Sequence, residues 1–171
     1  MIQPGLAPGD IDALIAIVHA TGFFRAAEIR IARELMDQHL AQGALGSGYH
    51  FERAYDQQGE LAGFACHGPI PGTDGSFDLY WIAVHPRAQG HGLGHLLVEA
   101  VVAETSRSGG RLLYAETSSQ PLYDPTRAFY LRCGFREAAR LPDFYRPDDD
   151  KIVYVRNLCR GIPPTRVGRE R

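Results

Sequence analysis

The stretch Ile82-Ala83-Val84-His85-Pro86-Arg87-Ala88-Gln89-Gly90-His91-Gly92-Leu93-Gly94-His95 constrains this chain more than any other. The run Phe77 to Val84 reads as a β-strand, and Pro86 ends it because proline has no N–H to give a ladder. Alternation along that strand predicts that Leu79, Trp81 and Ala83 point one way, and Asp78, Tyr80, Ile82 and Val84 the other. A helix follows from about Gly92, with Leu93, Leu96, Leu97, Ala100 and Val101 as its apolar stripe. Glycines at 90, 92 and 94 let the connecting backbone curl and come close to a ligand. The first N–H groups of a helix lack internal partners and lie at the positive end of its dipole. Strand, glycine loop and helix together therefore form an anion cradle, best suited to a phosphate or pyrophosphate. The dinucleotide fingerprint G-x-G-x-x-G does not fit, since His95 stands where a glycine is needed, and no lysine completes a P-loop.

The rest of the chain supplies the frame for that cradle. Apolar residues at Ile11, Leu14, Ile15 and Val18 predict a helix over Ile11 to Ala20, with Asp10 as its N-cap. Ile29, Ala32, Met36 and Leu40 predict a second over Ala26 to Ala41, stopped by Gly43. Tyr49 to Tyr55 and Leu61 to His67 read as strands of a hairpin turning at Asp56-Gln57-Gln58-Gly59. Arg111 to Thr117 is a further strand. Asp124-Pro125 opens a short helix that runs to about Cys133 and closes on Gly134. Phe135 to Leu141 and Ile152 to Leu158 complete the set. The order αα, ββ, β, α, β, α, ββ implies an α/β (α+β) fold, a mixed, mostly antiparallel sheet with helices on both faces. There is no internal repeat, and residues 1–160 are read as one domain. The Pro, Gly and Arg composition of residues 161–171 predicts a tail that frays.

Composition narrows the function. The 171 residues suit one domain, and 18 basic against 20 acidic residues give a formal charge of −2. So weak a charge argues against a protein dedicated to nucleic acid. No apolar run approaches the roughly 20 residues that span a bilayer, so no membrane role is expected. The opening residues lack the basic-then-apolar pattern of a signal peptide. Cys66, Cys133 and Cys159 form no CxxC pair, which predicts a reducing, cytoplasmic setting.

Gln89-Gly90-His91-Gly92-Leu93-Gly94 fits the pattern [QR]-x-x-G-x-[GA] and follows Ile82-Ala83-Val84-His85-Pro86. This segment resembles the acetyl-CoA-binding signature of the GNAT superfamily of acyl-CoA-dependent N-acyltransferases. Ala128-Phe129-Tyr130-Leu131-Arg132-Cys133-Gly134-Phe135 is similar to that family's A-x-x-F-Y-x-x-x-G-F element, one position compressed at its start. The resemblance covers roughly residues 10–158. It implies a sheet of about six to seven strands, splayed in the middle and flanked by about four helices. The family's first strand would be very short here, since only Ile2-Gln3 precede Pro4.

The same resemblance implies roles. Acetyl-CoA is the co-substrate, no metal is needed, and an amine on a small molecule or a protein is the acceptor. Main-chain groups of Ile82, Ala83 and Val84 pair with the pantetheine arm like an added strand. The N–H groups of Gln89, Gly90, His91, Gly92, Leu93, Gly94 and His95 hold the pyrophosphate. The thioester sits where the strands Phe77–Val84 and Arg111–Thr117 splay apart. Tyr130 matches the family tyrosine beside the sulfur, where a phenol can protonate the leaving thiolate; its ordinary reading is a core aromatic. The general base is open between Asp78, Glu116 and a water relayed by main-chain groups, with Tyr80 expected on the Asp78 face. A homodimer is common among proteins of this kind. The alternative function is a catalytically silent module that senses acyl-CoA.

Several residues carry two readings each. His91 and His95 have metal-ligand spacing but no third ligand. Arg87 and Arg127 either meet CoA phosphates or face water. Cys133 reads as packing rather than as a nucleophile. Asp148-Asp149-Asp150 either attracts a cationic amine or is an acidic hairpin turn facing water. Phe23, Phe24, Tyr49, Phe51, Phe144 and Tyr145 either wall an acceptor pocket or belong to the core.

Overall fold

Seven strands form one sheet in the order β1-β2-β3-β4-β5-β7-β6. The structure is a computed structural model, and it describes residues 1–158. Cys159 and the tail over 161–171 lie outside the described residues. The strands are β1 (Ile2–Pro4), β2 (His50–Tyr55), β3 (Leu61–Pro69), β4 (Ser76–Val84), β5 (Leu112–Ser118), β6 (Arg136–Arg146) and β7 (Asp149–Asn157). The helices are α1 (Asp10–Thr21), α2 (Ala26–Ser47), α3 (Leu93–Arg107) and α4 (Asp124–Arg132). Every neighbouring strand pair is antiparallel except β4 and β5, which run parallel. A parallel pair needs a crossover, and α3 supplies it.

Each face of the sheet has its own core. Leu97, Val98 and Val101 of α3 and Tyr130 of α4 pack on Leu113, Ile152 and Tyr154. Leu14 and Val18 of α1 and Met36 of α2 pack on Phe51 and Phe64 on the opposite face. The predicted stripes of α1, α2 and α3 face these cores, except that Leu96 of α3 is 49% exposed and Val98 is buried in its place. Asp10, however, is the first helical residue and not the cap: its carboxylate accepts from the Ala7 N–H at 2.7 Å and from Arg53 at 2.7 Å. Gly43 breaks α2 as expected, at φ 69°, but helical structure resumes for a further turn to Ser47.

The sheet departs from simple alternation at one place. Cys66 pairs with Trp81 and His67 with Leu79, so Tyr80 is an extra residue, a β-bulge. A bulge inverts the facing of everything beyond it. Phe77 and Leu79 therefore face the α3 core, and past the bulge Ile82 and Val84 do so. Trp81 and Ala83 face the α1–α2 core instead. The expectation that Leu79 shares a face with Trp81 and Ala83, and Asp78 with Ile82 and Val84, is thereby corrected.

The central strands also part company. β4 and β5 pair only from Ser76 with Leu112 to Leu79 with Ala115. Beyond that point β4 stays with β3, while Glu116, Thr117 and Ser118 stay with β7. The result is the splay that the resemblance implied, a wedge along whose β4 wall no strand pairs from Tyr80 to Val84.

Candidate active site

The loop after β4 is shaped by backbone conformation. Gly90 and Gly92 adopt φ of 78° and 82°, the left-handed region where a Cβ is strained. Gly94 is needed for a different reason: a Cβ there would come within 3.1 Å of the Phe129 ring. No side chain caps α3. The amide of Gln89 donates to the Pro86 carbonyl at 3.2 Å, and the next amide to find a carbonyl is Leu96, on Gly92 at 3.0 Å. Between them the N–H groups of Gly90 through His95 stand without an acceptor among the described residues, at the positive end of α3. The Gln89 side chain donates to the Val84 carbonyl at 2.9 Å, which ties the loop to the end of β4.

A cavity of about 970 Å³ joins this loop to the wedge. At one end it is lined by Ile82, Ala83, Val84, Gln89, Gly90, Gly92, Leu93, Gly94 and His95. His91 is the exception and lines a separate cavity of about 600 Å³ beside Arg87. Tyr130 lines the main cavity and is 5% exposed, packed against Phe135 and Tyr154 with ring centroids 5.4 and 5.6 Å away. It is thus both a core aromatic and a wall of the cavity. Burial pushes its phenol well above the usual range, so it stays protonated at neutral pH.

The far end of the cavity is built from side chains of distant segments. Phe23, Phe24 and Glu28 come from the α1–α2 region, Trp81 from β4, and Tyr123 from the turn before α4. Glu116 comes from β5, Tyr145 from β6 and Asp149 from β7. Glu116 is ion-paired to Lys151 at 2.5 Å. Asp78 is not among the lining residues; burial raises its carboxyl above the ordinary value, Glu116 adds to the rise and Lys151 opposes it. Tyr80 lines the cavity, and burial, then Asp78, Tyr49 and Cys66, push its phenol up to about 12.

Other expectations resolve plainly. Asp149 is on β7 and 4% exposed, hydrogen-bonded to Ser118 and paired to Arg146 at 3.3 Å, so the acidic turn does not simply face water. Arg127 is tied to the turn before α4: it donates to the carbonyls of Ser118 at 2.7 Å and Gln120 at 3.0 Å. Arg87 pairs with Asp56 at 3.4 Å. Cys133 is buried packing, with its sulfur 3.7 Å from His95 Nδ1. Phe51 is core. Phe144 is exposed and sits under the Lys151 ammonium, 4.6 Å from ring centroid to nitrogen. Among the described residues, no group of three or more His, Cys, Asp or Glu side chains could hold a metal, and no helix is long and apolar enough to cross a membrane.

Lys151, Tyr123 and Trp81 were not read as site residues from the sequence. The one available signal was that Lys151 is the chain's single lysine.

Comparison with known proteins agrees with this geometry. A model of the acetyltransferase (GNAT) domain matches residues 47–137. A crystal structure from Desulfovibrio desulfuricans, of a protein described as a GNAT-family acetyltransferase, is 46% identical. It superimposes with a TM-score of 0.89 over 93% of this chain and 99% of that one. The chain belongs to the GNAT acetyltransferase family. Its fold is also that of an aminoglycoside 6′-N-acetyltransferase solved with coenzyme A, at 19% identity and a TM-score of 0.75 over 95% of this chain and 99% of that one. The ribosomal-protein-S18-alanine N-acetyltransferase of Escherichia coli shares it too, at 23% identity and a TM-score of 0.71, covering 96% and 98%. No curated protein sequence matches.

Proposed function

We propose that the protein is a single-domain N-acetyltransferase, acting in a reducing, cytoplasmic setting, that moves an acetyl group from acetyl-CoA directly to a primary amine. One observation carries this reading: acceptor-free amides at Gly90 and at Gly92 through His95 open into the same cavity as the free edge of β4, Tyr130 and Glu116. The row would hold the pyrophosphate, because N–H groups at a helix start attract anions. The free edge from Tyr80 to Val84 would take the pantetheine arm as a strand takes its neighbour. A main-chain N–H on that edge would receive the charge that gathers on the carbonyl oxygen.

The proton inventory then closes. The new C–N bond forms as the C–S bond breaks. Tyr130 protonates the departing sulfur. Glu116, directly or through a water, takes the proton that the amine gives up; Asp78, beneath the cavity wall, is the second candidate. The names of two similarly folded proteins, both N-acetyltransferases, agree with an amine acceptor.

The test is thiol release from acetyl-CoA against a broad amine panel. Release that depends on one class of amine supports the reading. Thermal stabilisation by acetyl-CoA with no thiol released by any amine would replace it with an acyl-CoA-sensing module.

A further inference from the structure

Every basic residue among the chain's 18 lysines and arginines is an arginine except Lys151. That lysine is only 16% exposed, and its ammonium meets Glu116 Oε2 at 2.5 Å. Cross-strand register explains the meeting. Glu116 lies opposite Val153 and Ser118 opposite Lys151, so Lys151 is the diagonal neighbour of Glu116 on one face. Asp78 reaches that face from β4. Phe77 and Leu79 turn toward α3, which leaves Asp78 on the other side, opposite Tyr114, two residues before Glu116 on β5. Two carboxylates thus share one side of the sheet at the point where β4 and β5 separate. The phenol of Tyr145 faces Glu116 from β6, with Asp149, Tyr123 and Glu28 around it.

Carboxylates on one side of the sheet repel each other, and a protonated carboxyl cannot take a proton from an amine. Lys151 is the counter-charge the two strands share, and the Phe144 ring steadies it. We propose that Lys151 is a positioning residue whose ammonium holds the Glu116 carboxylate at the mouth of the wedge and offsets the Asp78 charge beside it, so that a carboxylate stands open to the incoming amine. The proposal rests on the acetyltransferase reading above. It goes further by assigning a role to a residue that touches neither the cofactor loop nor the cavity surface.

The sign of its effect follows. Without the cation, Glu116 and Asp78 hold their protons to higher pH. Lys151→Met should move the acidic limb of kcat/KM upward by about one pH unit or more, a loss of roughly tenfold at a pH on that limb. Toward high pH the loss should shrink. Lys151→Arg, which keeps the charge, should keep the midpoint near that of the parent. A merely structural lysine would lower activity equally at every pH. The Glu116 carboxyl, titrated directly by carbon NMR in the parent and in Lys151→Met, gives a readout that needs no turnover. An upward shift there with no turnover from any amine would sink the enzyme reading and leave the pairing intact. Turnover with an unmoved Glu116 midpoint and a pH profile unchanged by Lys151→Met would sink the proposal and leave the enzyme reading intact.

Discussion

The two ends of the cavity are made of different material. The loop end is backbone: free amides, two left-handed glycines and an open strand edge, all contributed by residues 80–95. The far end is side chain: Phe23, Trp81, Glu116, Tyr123, Tyr145 and Asp149, brought from segments spread across most of the chain. A backbone site needs a fixed local conformation, so its requirements are written within one short stretch. A side-chain site needs only that the fold bring its parts together, so the same fold can change its acceptor without disturbing its cofactor.

That difference yields predictions that can break it. The largest effect is expected at the joint between the two ends. Tyr130→Phe should lower the rate of thiol release by about 10²–10⁴-fold while CoA still raises the melting temperature, since the ring is kept and only the proton donor is lost. Unchanged turnover would remove Tyr130 as the acid. Next is the loop. Gly92→Val forces a β-branched residue to φ 82°, a cost of about 1–3 kcal/mol. CoA affinity by calorimetry should therefore fall by about tenfold or more, while KM for the acceptor stays near the parent value. Tyr145→Ala should do the reverse: acceptor KM rises by several-fold and CoA affinity is unchanged. If either variant shifts both constants together, the two ends are not separate.

The smallest effect concerns the fold itself and guards the pH experiments. Glu52, on β2 under α3, is 6% exposed, and burial followed by the Glu104 charge raises its pKa to about 7. A raised carboxyl contributes its stability in full below its unfolded pKa and loses it as pH climbs through the folded value. Glu52→Gln, which cannot ionise, should therefore melt about 2–4 °C above the parent at pH 8 and no higher than the parent at pH 4.5. His67 works in the opposite direction: burial and His50 push its pKa down to about 3, so its stability is lost as pH falls below the ordinary histidine value. Equal melting of parent and Glu52→Gln across this range would contradict the buried-acid account.

What was legible in the sequence follows the same division. Gly90, Gly92 and Gly94, the strand before them and the helix after them announce their geometry locally, and the Phe129-Tyr130 element lies in register behind them. The mixed, mostly antiparallel sheet followed from the succession of elements, and the splay from the family resemblance. The facing of Trp81 was misread because period-two alternation holds only for an unbroken ladder, and Tyr80 interrupts it. Asp149 was misread because three aspartates beside a proline look like a turn, whereas the hairpin places the second of them on a strand against Ser118. Lys151 was invisible because its partner is 35 residues earlier in the chain, joined to it only by a cross-strand diagonal. Nothing in a local pattern records such a pairing.

The account depends most on the amides of Gly90 through His95. Their hydrogen exchange, measured residue by residue with and without acetyl-CoA, tests it directly. Marked slowing confined to these amides and to the open edge of β4 is the predicted result. Binding of acetyl-CoA that leaves their exchange rates unchanged would contradict it.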